Sequence, residues 1–165
     1  MSGVGKREVG FTLNGEETSV VCEARTSLAD ALRGDLGLHG VRLGCEQGVC
    51  GACTVILDGR TVRSCLVLAQ QVDGADVETV EGLAGDEGLH PLQQAFTACH
   101  ALQCGFCTSG FLAVAVELLR TNPRPSREEI REAISGNLCR CTGYQNIIDA
   151  IELVAAPTSG EGESA

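Results

Sequence analysis

The stretch GCEQGVCGACTV, residues 44–55, holds three cysteines and places glycines between them. The cysteines are Cys45, Cys50 and Cys53. A loop with so little bulk can adopt positive φ angles, and its backbone N–H groups can approach sulfur closely. Thiols held this close predict a metal site, which leaves a fourth ligand to be found along the chain.

The fourth thiol follows from a hairpin predicted directly after the loop. The chain alternates on both sides of Asp58-Gly59, in the runs CTVILDG and RTVRSCL, as expected for a two-residue turn. Counting outward from this turn pairs Cys53 with Ser64, so Cys65 lies one step beyond Cys53. The spacing Cys-x4-Cys-x2-Cys-x11-Cys is the plant-type arrangement for a [2Fe-2S] cluster. Zinc is the alternative for four cysteines, although zinc ligands usually come as two short pairs.

A second set of four cysteines lies in the last third of the chain: Cys104 and Cys107 in QCGFC, and Cys139 and Cys141 in GNLCRCTGY. Positions i and i+3 share a helix face, and positions i and i+2 share one side of an extended segment, so each pair presents its sulfurs together. Four thiolates from the two segments can enclose a second cluster. Zinc and a thioredoxin-like C-x-x-C redox pair are the alternatives, but no βαβ pattern surrounds this C-x-x-C.

Composition excludes several other classes of protein. The 165 residues include 10 cysteines, yet the N-terminal residues lack the pattern of a secretory signal, which argues against a disulfide framework and for a cytoplasmic location. A formal net charge of −10 argues against a nucleic-acid partner. The most apolar stretch, residues 110–119, is about half the length of a membrane span. We expect Cys22 and Cys99 to be buried core residues and the histidines to serve as surface or capping residues.

The first half of the chain is patterned as strands. Alternating apolar residues on both sides of Asn14-Gly15 predict a β-hairpin with a type I′ turn. Residues 26–38 predict a short amphipathic helix with Thr26 or Ser27 as N-cap. The second hairpin and the cysteine loop complete this half.

The second half is patterned as four helices. The first starts at Pro91, the second spans about 108–120, the third follows the capping box Ser126-x-x-Glu129, and the fourth carries the apolar face of residues 147–154. Glycine and acidic residues interrupt the apolar rhythm at residues 81–90. The sequence therefore predicts an α+β chain with domains at 1–82 and 83–156 and a disordered acidic tail at 157–165.

The segments GCEQGVCGACTVILDGRTVRSCL, QCGFCTSGFL and GNLCRCTGYQNII resemble the iron-sulfur small subunit of the molybdenum hydroxylases, the xanthine oxidase family. The resemblance covers almost everything from residue 8 to residue 154. It implies a β-grasp domain of plant-type ferredoxin fold followed by a four-helix bundle, each holding one [2Fe-2S] cluster. Relatives usually have Thr-Pro-Gly where this chain has Thr108-Ser109-Gly110, and we expect Ser109 to start the helix about as well.

The same resemblance implies partner chains. They are a large subunit with a molybdopterin cofactor, usually the cytosine dinucleotide, and a medium subunit with FAD, in a heterotrimer or a dimer of heterotrimers. Electrons would pass singly from molybdenum through the helical-domain cluster and the plant-type cluster to FAD. By the resemblance, Gln103 would hydrogen-bond the pterin and Cys141 would lie close to it.

No carboxylate pair, activated nucleophile or phosphate-binding loop is present in the sequence, so we expect no substrate turnover by this chain alone. The loop of residues 44–48 resembles members that act on N-heteroaromatic compounds; carbon monoxide or aldehyde oxidation is the alternative. A free-standing ferredoxin is the alternative class, but a ferredoxin would need only the N-terminal half.

Overall fold

A computed structural model describes residues 5–85 and 88–155 of the chain. The predicted tail at 157–165 and part of the predicted 81–90 linker lie outside these residues. In the first half, β1 (Lys6–Leu13) pairs antiparallel with β2 (Glu16–Glu23), with Val9 opposite Val20. Asn14 and Gly15 at the turn have φ of 53° and 86°, which confirms the predicted type I′ hairpin.

The second predicted hairpin is also present, with β3 (Thr54–Leu57) antiparallel to β4 (Arg60–Arg63). The N–H of Ser64 donates to the carbonyl of Cys53 at 3.3 Å, as the predicted pairing requires. The prediction that the strand continues to residue 66 was wrong, because a 3₁₀ turn at Ser64–Leu66 follows β4. This turn bends the chain and carries Cys65 toward the cysteine loop.

A fifth strand, β5 (Asp76–Glu78), joins the two hairpins into one sheet of order β2-β1-β5-β3-β4. It runs parallel to β1 and antiparallel to β3. The sequence pattern does not predict this strand, since three residues are too few to establish an alternating pattern. A buried cluster that includes Val9, Phe11 and Val77 fills the space under the sheet.

The helix predicted at residues 26–38 is present but irregular. Ser27 caps it by accepting the N–H of Asp30 at 3.1 Å, as one of the two predicted caps. After one α-helical turn at Leu28–Asp30, which we call α1, the backbone widens into a π-helical turn at Ala31–Asp35. Gly34 lies in the wide turn and favours regular helix poorly, and Gly37 with φ of 71° ends it.

Four helices in the second half match the predicted positions: α2 (Pro91–Ala98), α3 (Thr108–Thr121), α4 (Arg127–Ile134) and α5 (Gln145–Ala155). The capping box of Ser126 and Glu129 opens α4. α3 begins with Cys107 in the cap position, and the Ser109 hydroxyl is buried without a partner. Ser109 is therefore part of the first turn rather than its cap, which corrects the expectation from the sequence.

The two halves pack directly on each other. Ile56 of β3 belongs to the same buried cluster as Phe111 and Ile130 of the helices. Arg120 at the end of α3 makes two hydrogen bonds, of 2.6 and 2.7 Å, to the carboxylate of Glu78 in β5. Among the described residues, no helix combines the length and apolar character needed to cross a membrane.

Candidate metal centres

The first set of cysteines comes together at one end of the sheet. Cys45, Cys50 and Cys53 lie on the loop that leads into β3, and Cys65 approaches from the 3₁₀ turn after β4. The Cys50 thiol lies near enough to Cys45 to help lower its pKa, and the Cys53 thiol lies near enough to Cys65 to help raise its pKa. The loop and the hairpin thus bring together the four residues that the spacing predicted.

The loop aims its backbone N–H groups at these sulfurs. Glu46, Gly48 and Gly51 have positive φ angles of 52°, 78° and 75°, and the N–H groups of Gln47 and Cys50 donate to Cys45 Sγ at 3.4 Å each. These two donors lower the pKa of Cys45 to about 6, because they stabilise a thiolate.

At the other side of the first set, the surroundings of Cys65 disfavour the charged thiolate form. Burial raises the pKa of Cys65 to about 11, and its contact with Cys53 adds to the effect. A metal would have to displace this proton, since thiolates and not thiols bind metals.

Other groups approach the backbone closely at two glycines of this loop. A Cβ atom on Gly44 would lie 3.3 Å from Cys50 Sγ and 3.2 Å from the ring of Phe106. A Cβ atom on Gly48 would overlap the side chain of Leu66. The loop therefore closes tightly on its own sulfurs, as its glycines predicted.

The second set of cysteines lies where the helices meet. Cys104 and Cys107 precede α3, and Cys139 and Cys141 lie between α4 and α5. Cys104 Sγ and Cys141 Sγ are 3.6 Å apart and exposed, whereas Cys107 and Cys139 contact each other farther inside. The second set thus has one pair of thiols at the surface and one against the helical core.

The inner pair shows opposite pKa shifts. Burial raises the pKa of Cys107 to about 12. Burial also acts to raise the pKa of Cys139, but hydrogen bonds from the Thr142 hydroxyl and N–H, together with those from the Cys141 N–H and Cys107, outweigh it and lower the pKa. At the surface, the contact with Cys104 raises the pKa of Cys141. Loading of this set with metal should therefore release protons.

Gln103 lies beside the exposed pair of the second set. Its Nε2 donates to the carbonyl of Cys141 at 3.0 Å, and both residues are exposed. The two residues that the resemblance assigned to the pterin are thus neighbours on the surface.

The two sets adjoin each other across the contact between the halves, a relation that the sequence analysis missed. The N–H of Leu138 donates to the Cys50 carbonyl at 2.9 Å, and the buried Asn137 side chain donates to the Gly51 carbonyl at 3.1 Å. Phe106, between Cys104 and Cys107, lies against the Gly44 backbone. These contacts join positions far apart in the sequence, and no spacing rule would have indicated them.

The remaining cysteines and histidines lie apart from these sets. Cys22 is buried in β2 as predicted, whereas Cys99 is only half-buried because it caps the end of α2. His90 caps α2 through Nδ1, which accepts the N–H of Leu92, and His39 and His100 are exposed. The predicted capping and surface roles of the histidines agree with these positions.

Comparison with known proteins supports this reading of the fold. Residues 11–84 match the family model of the 2Fe-2S iron-sulfur cluster binding domain, and residues 79–152 match that of the [2Fe-2S] binding domain. The chain is similar to quinoline 2-oxidoreductase from Pseudomonas putida 86, with a TM-score of 0.89 and 55% identity over 91% of this chain and 93% of that chain.

Two further relatives are single subunits of similar length. The chain is 58% identical over 144 residues to the nicotine 6-hydroxylase small subunit of Paenarthrobacter nicotinovorans, with 87% of each covered. It is 52% identical over 153 residues to caffeine dehydrogenase subunit gamma of Pseudomonas sp. (strain CBB1), covering 91% of this chain and 92% of the relative.

Together these matches define an α+β iron-sulfur protein with two 2Fe-2S domains. The chain belongs to the family of iron-sulfur small subunits of the molybdenum hydroxylases, and it is a subunit of an oxidoreductase.

Proposed function

We propose that each set of cysteines binds one [2Fe-2S] cluster, with Cys45, Cys50, Cys53 and Cys65 as ligands of the first and Cys104, Cys107, Cys139 and Cys141 as ligands of the second. The observation that carries this assignment is that the four cysteines of each set lie on neighbouring segments of the fold, within regions that match 2Fe-2S domain models. When bound, such a cluster takes up and releases one electron at a time.

The chain's own residues hold the two centres next to each other. Backbone N–H groups stabilise negative charge at Cys45, and the contacts of Asn137 and Leu138 fix the two cysteine loops together. We assign the sheet half, 1–82, to a β-grasp domain and the helical half, 83–156, to a four-helix bundle. A lone ferredoxin would not need the second half, so the chain is a relay between partner chains.

The relay connects a molybdopterin centre on a large partner subunit with FAD on a medium one. Gln103 and Cys141 face outward on the surface of the helical half, which suits the proposed contact with the pterin, in the cytosine dinucleotide form. The first set lies on the other side of the Leu138–Cys50 contact and would pass the electron toward FAD. The complex is a heterotrimer or a dimer of heterotrimers in the cytoplasm.

The substrate of the complex is an N-heteroaromatic compound. This assignment rests on the names of the relatives, which include a nicotine hydroxylase, a caffeine dehydrogenase and a quinoline oxidoreductase. Nothing in the two cysteine sets selects a substrate, because the substrate pocket belongs to the large subunit.

The ligand assignment is tested by Cys50→Ser and Cys139→Ser in the assembled complex, with Cys99→Ser as the matched control outside both sets. Each of the first two variants should remove or alter one of two EPR signals of the reduced protein and leave the other. Cys139→Ser should also stop substrate from reducing the flavin. Retention of both signals unchanged in either ligand variant would refute the assignment for that set.

A further inference from the structure

The hydroxyl of Thr142 contacts one sulfur of the second set. Its Oγ1 lies 3.1 Å from Cys139 Sγ, and the Thr142 N–H donates to the same sulfur at 3.4 Å. Thr142 is half-buried, and Cys139 is buried. The hydroxyl therefore makes its hydrogen bond in a partly dry environment, where such a bond has a larger electrostatic effect than in water.

The surrounding turn orients the hydroxyl proton toward the sulfur. The N–H of Tyr144 donates to Thr142 Oγ1 at 3.2 Å, so a lone pair of the oxygen is already engaged and its proton is free for Cys139. The N–H of Cys139 is itself directed elsewhere, to the Tyr144 hydroxyl at 3.0 Å. Tyr144 is held by a left-handed backbone (φ 70°) and by edge-to-face packing on Phe111. The turn thus makes Thr142 the donor to Cys139.

The hydrogen bond from Thr142 to Cys139 distinguishes the second cysteine set from the first. Among the described residues, the backbone N–H groups of Gln47 and Cys50 donate to Cys45, and the backbone N–H of Gly48 acts on Cys65. A side-chain hydroxyl on sulfur is found, within the same residues, at Cys139 alone. A change to that hydroxyl should therefore affect one centre and leave the other.

We propose that Thr142 acts through Cys139 to raise the reduction potential of the centre held by the second set. The proposal rests on the proposed function, that is, on a [2Fe-2S] cluster at these four cysteines. Uptake of one electron adds one negative charge to the site, and no bond is made or broken. A hydrogen bond to a ligand sulfur stabilises the more negative, reduced form and so raises the potential. A higher potential makes this centre a better acceptor for electrons from the substrate side.

The test compares Thr142→Val, which keeps the branched shape and the N–H but lacks the hydroxyl, with Thr142→Ser, which keeps the hydroxyl. Thr108→Val is the matched control, since it makes the same change next to Cys107, and its hydroxyl donates to no cysteine sulfur in the described part of the chain. The assembled complex is titrated potentiometrically and followed by EPR, with the signals assigned from the Cys50 and Cys139 variants.

In Thr142→Val, the midpoint potential of the second centre should become more negative while that of the first stays constant. Thr142→Ser should keep the original value, and Thr108→Val should change neither. Thr142→Ala is measured as well, because it removes the hydroxyl with less demand on packing. An unshifted second potential in either hydroxyl-free variant, with both clusters present by iron content, would overturn the proposal yet leave the proposed function intact. Equal shifts of both centres would also overturn it.

Discussion

At the scale of single residues, the thiols of each set differ in how readily they lose a proton. The pKa of Cys45 is lowered by N–H donors, whereas burial raises the pKa of Cys65 and Cys107. Cys45, with its pKa of about 6, can bind an incoming metal as thiolate at neutral pH, and the metal's charge then drives deprotonation of the other thiols. In the first set, assembly should therefore begin at Cys45 and reach Cys65 later.

The buried Ser109 hydroxyl should destabilise the start of α3. This hydroxyl is buried without a hydrogen-bond partner, a state that costs about 1 kcal/mol or more. Ser109→Ala should therefore stabilise the protein and raise the thermal midpoint by about 2–4 °C per kcal/mol, as measured by calorimetry. Ser126→Ala, which removes a hydroxyl that does cap a helix, should lower the midpoint, and a lower midpoint in both variants would contradict this account of Ser109.

At the scale of elements, the pattern of the sequence predicted both hairpins and all four long helices. Asn14-Gly15 and Asp58-Gly59 specify their turns locally, and the capping box at Ser126 specifies the start of α4. The strand that the sequence pattern did not predict, β5, depends on partners that are distant in the sequence. β5 has its place because β1 and β3 flank it, and the local sequence of three residues carries no such information.

The ion pair between β5 and α3 should contribute to stability in a pH-dependent way. Hydrogen bonds from Arg120 lower the pKa of Glu78, so the carboxylate favours the folded state above the ordinary value of 4.5 and loses this effect as the pH falls through the lowered pKa. Both side chains are partly exposed, and we expect the pair to contribute less than about 1 kcal/mol.

Glu78→Gln should therefore lower the thermal midpoint at neutral pH. Below pH 4.5, the thermal midpoint of this variant should fall less steeply with acid than that of the unaltered protein. Glu23→Gln is the control, because its pair with Arg25 lies within one short segment and joins no elements. If acid lowered the midpoint of Glu78→Gln as steeply as that of the unaltered protein, the ion pair would not account for the pH dependence.

At the scale of the whole molecule, the contact between the halves determines how close the two cysteine sets lie. Gly51, between Cys50 and Cys53, meets Gly110 of α3 and the side chain of Asn137. The spacing of the cysteines predicted which four thiols form each set. It could not predict that the sets adjoin, because this depends on the packing of α3 and Asn137 against the loop.

Gly110→Ala tests this contact. Alanine is favoured over glycine in a helix by about 1 kcal/mol, but a Cβ atom here would overlap the Gly51 carbonyl, and such overpacking typically costs about 1–3 kcal/mol. We expect a net loss of stability and a weaker magnetic interaction between the two reduced centres in EPR. Gly34→Ala, with no atom within 4 Å of its Cβ position, should be neutral or stabilising. A fully stable Gly110→Ala protein would show that the halves do not pack as described.

The central claim is that each set of four thiolates holds two irons and not one metal ion. The most direct measurement is the content of iron, zinc and inorganic sulfide in the anaerobically purified protein. Two [2Fe-2S] clusters predict about four irons and four sulfides per chain, with a red-brown colour and little zinc. About two zinc ions per chain with no sulfide, in colourless protein, would contradict the account.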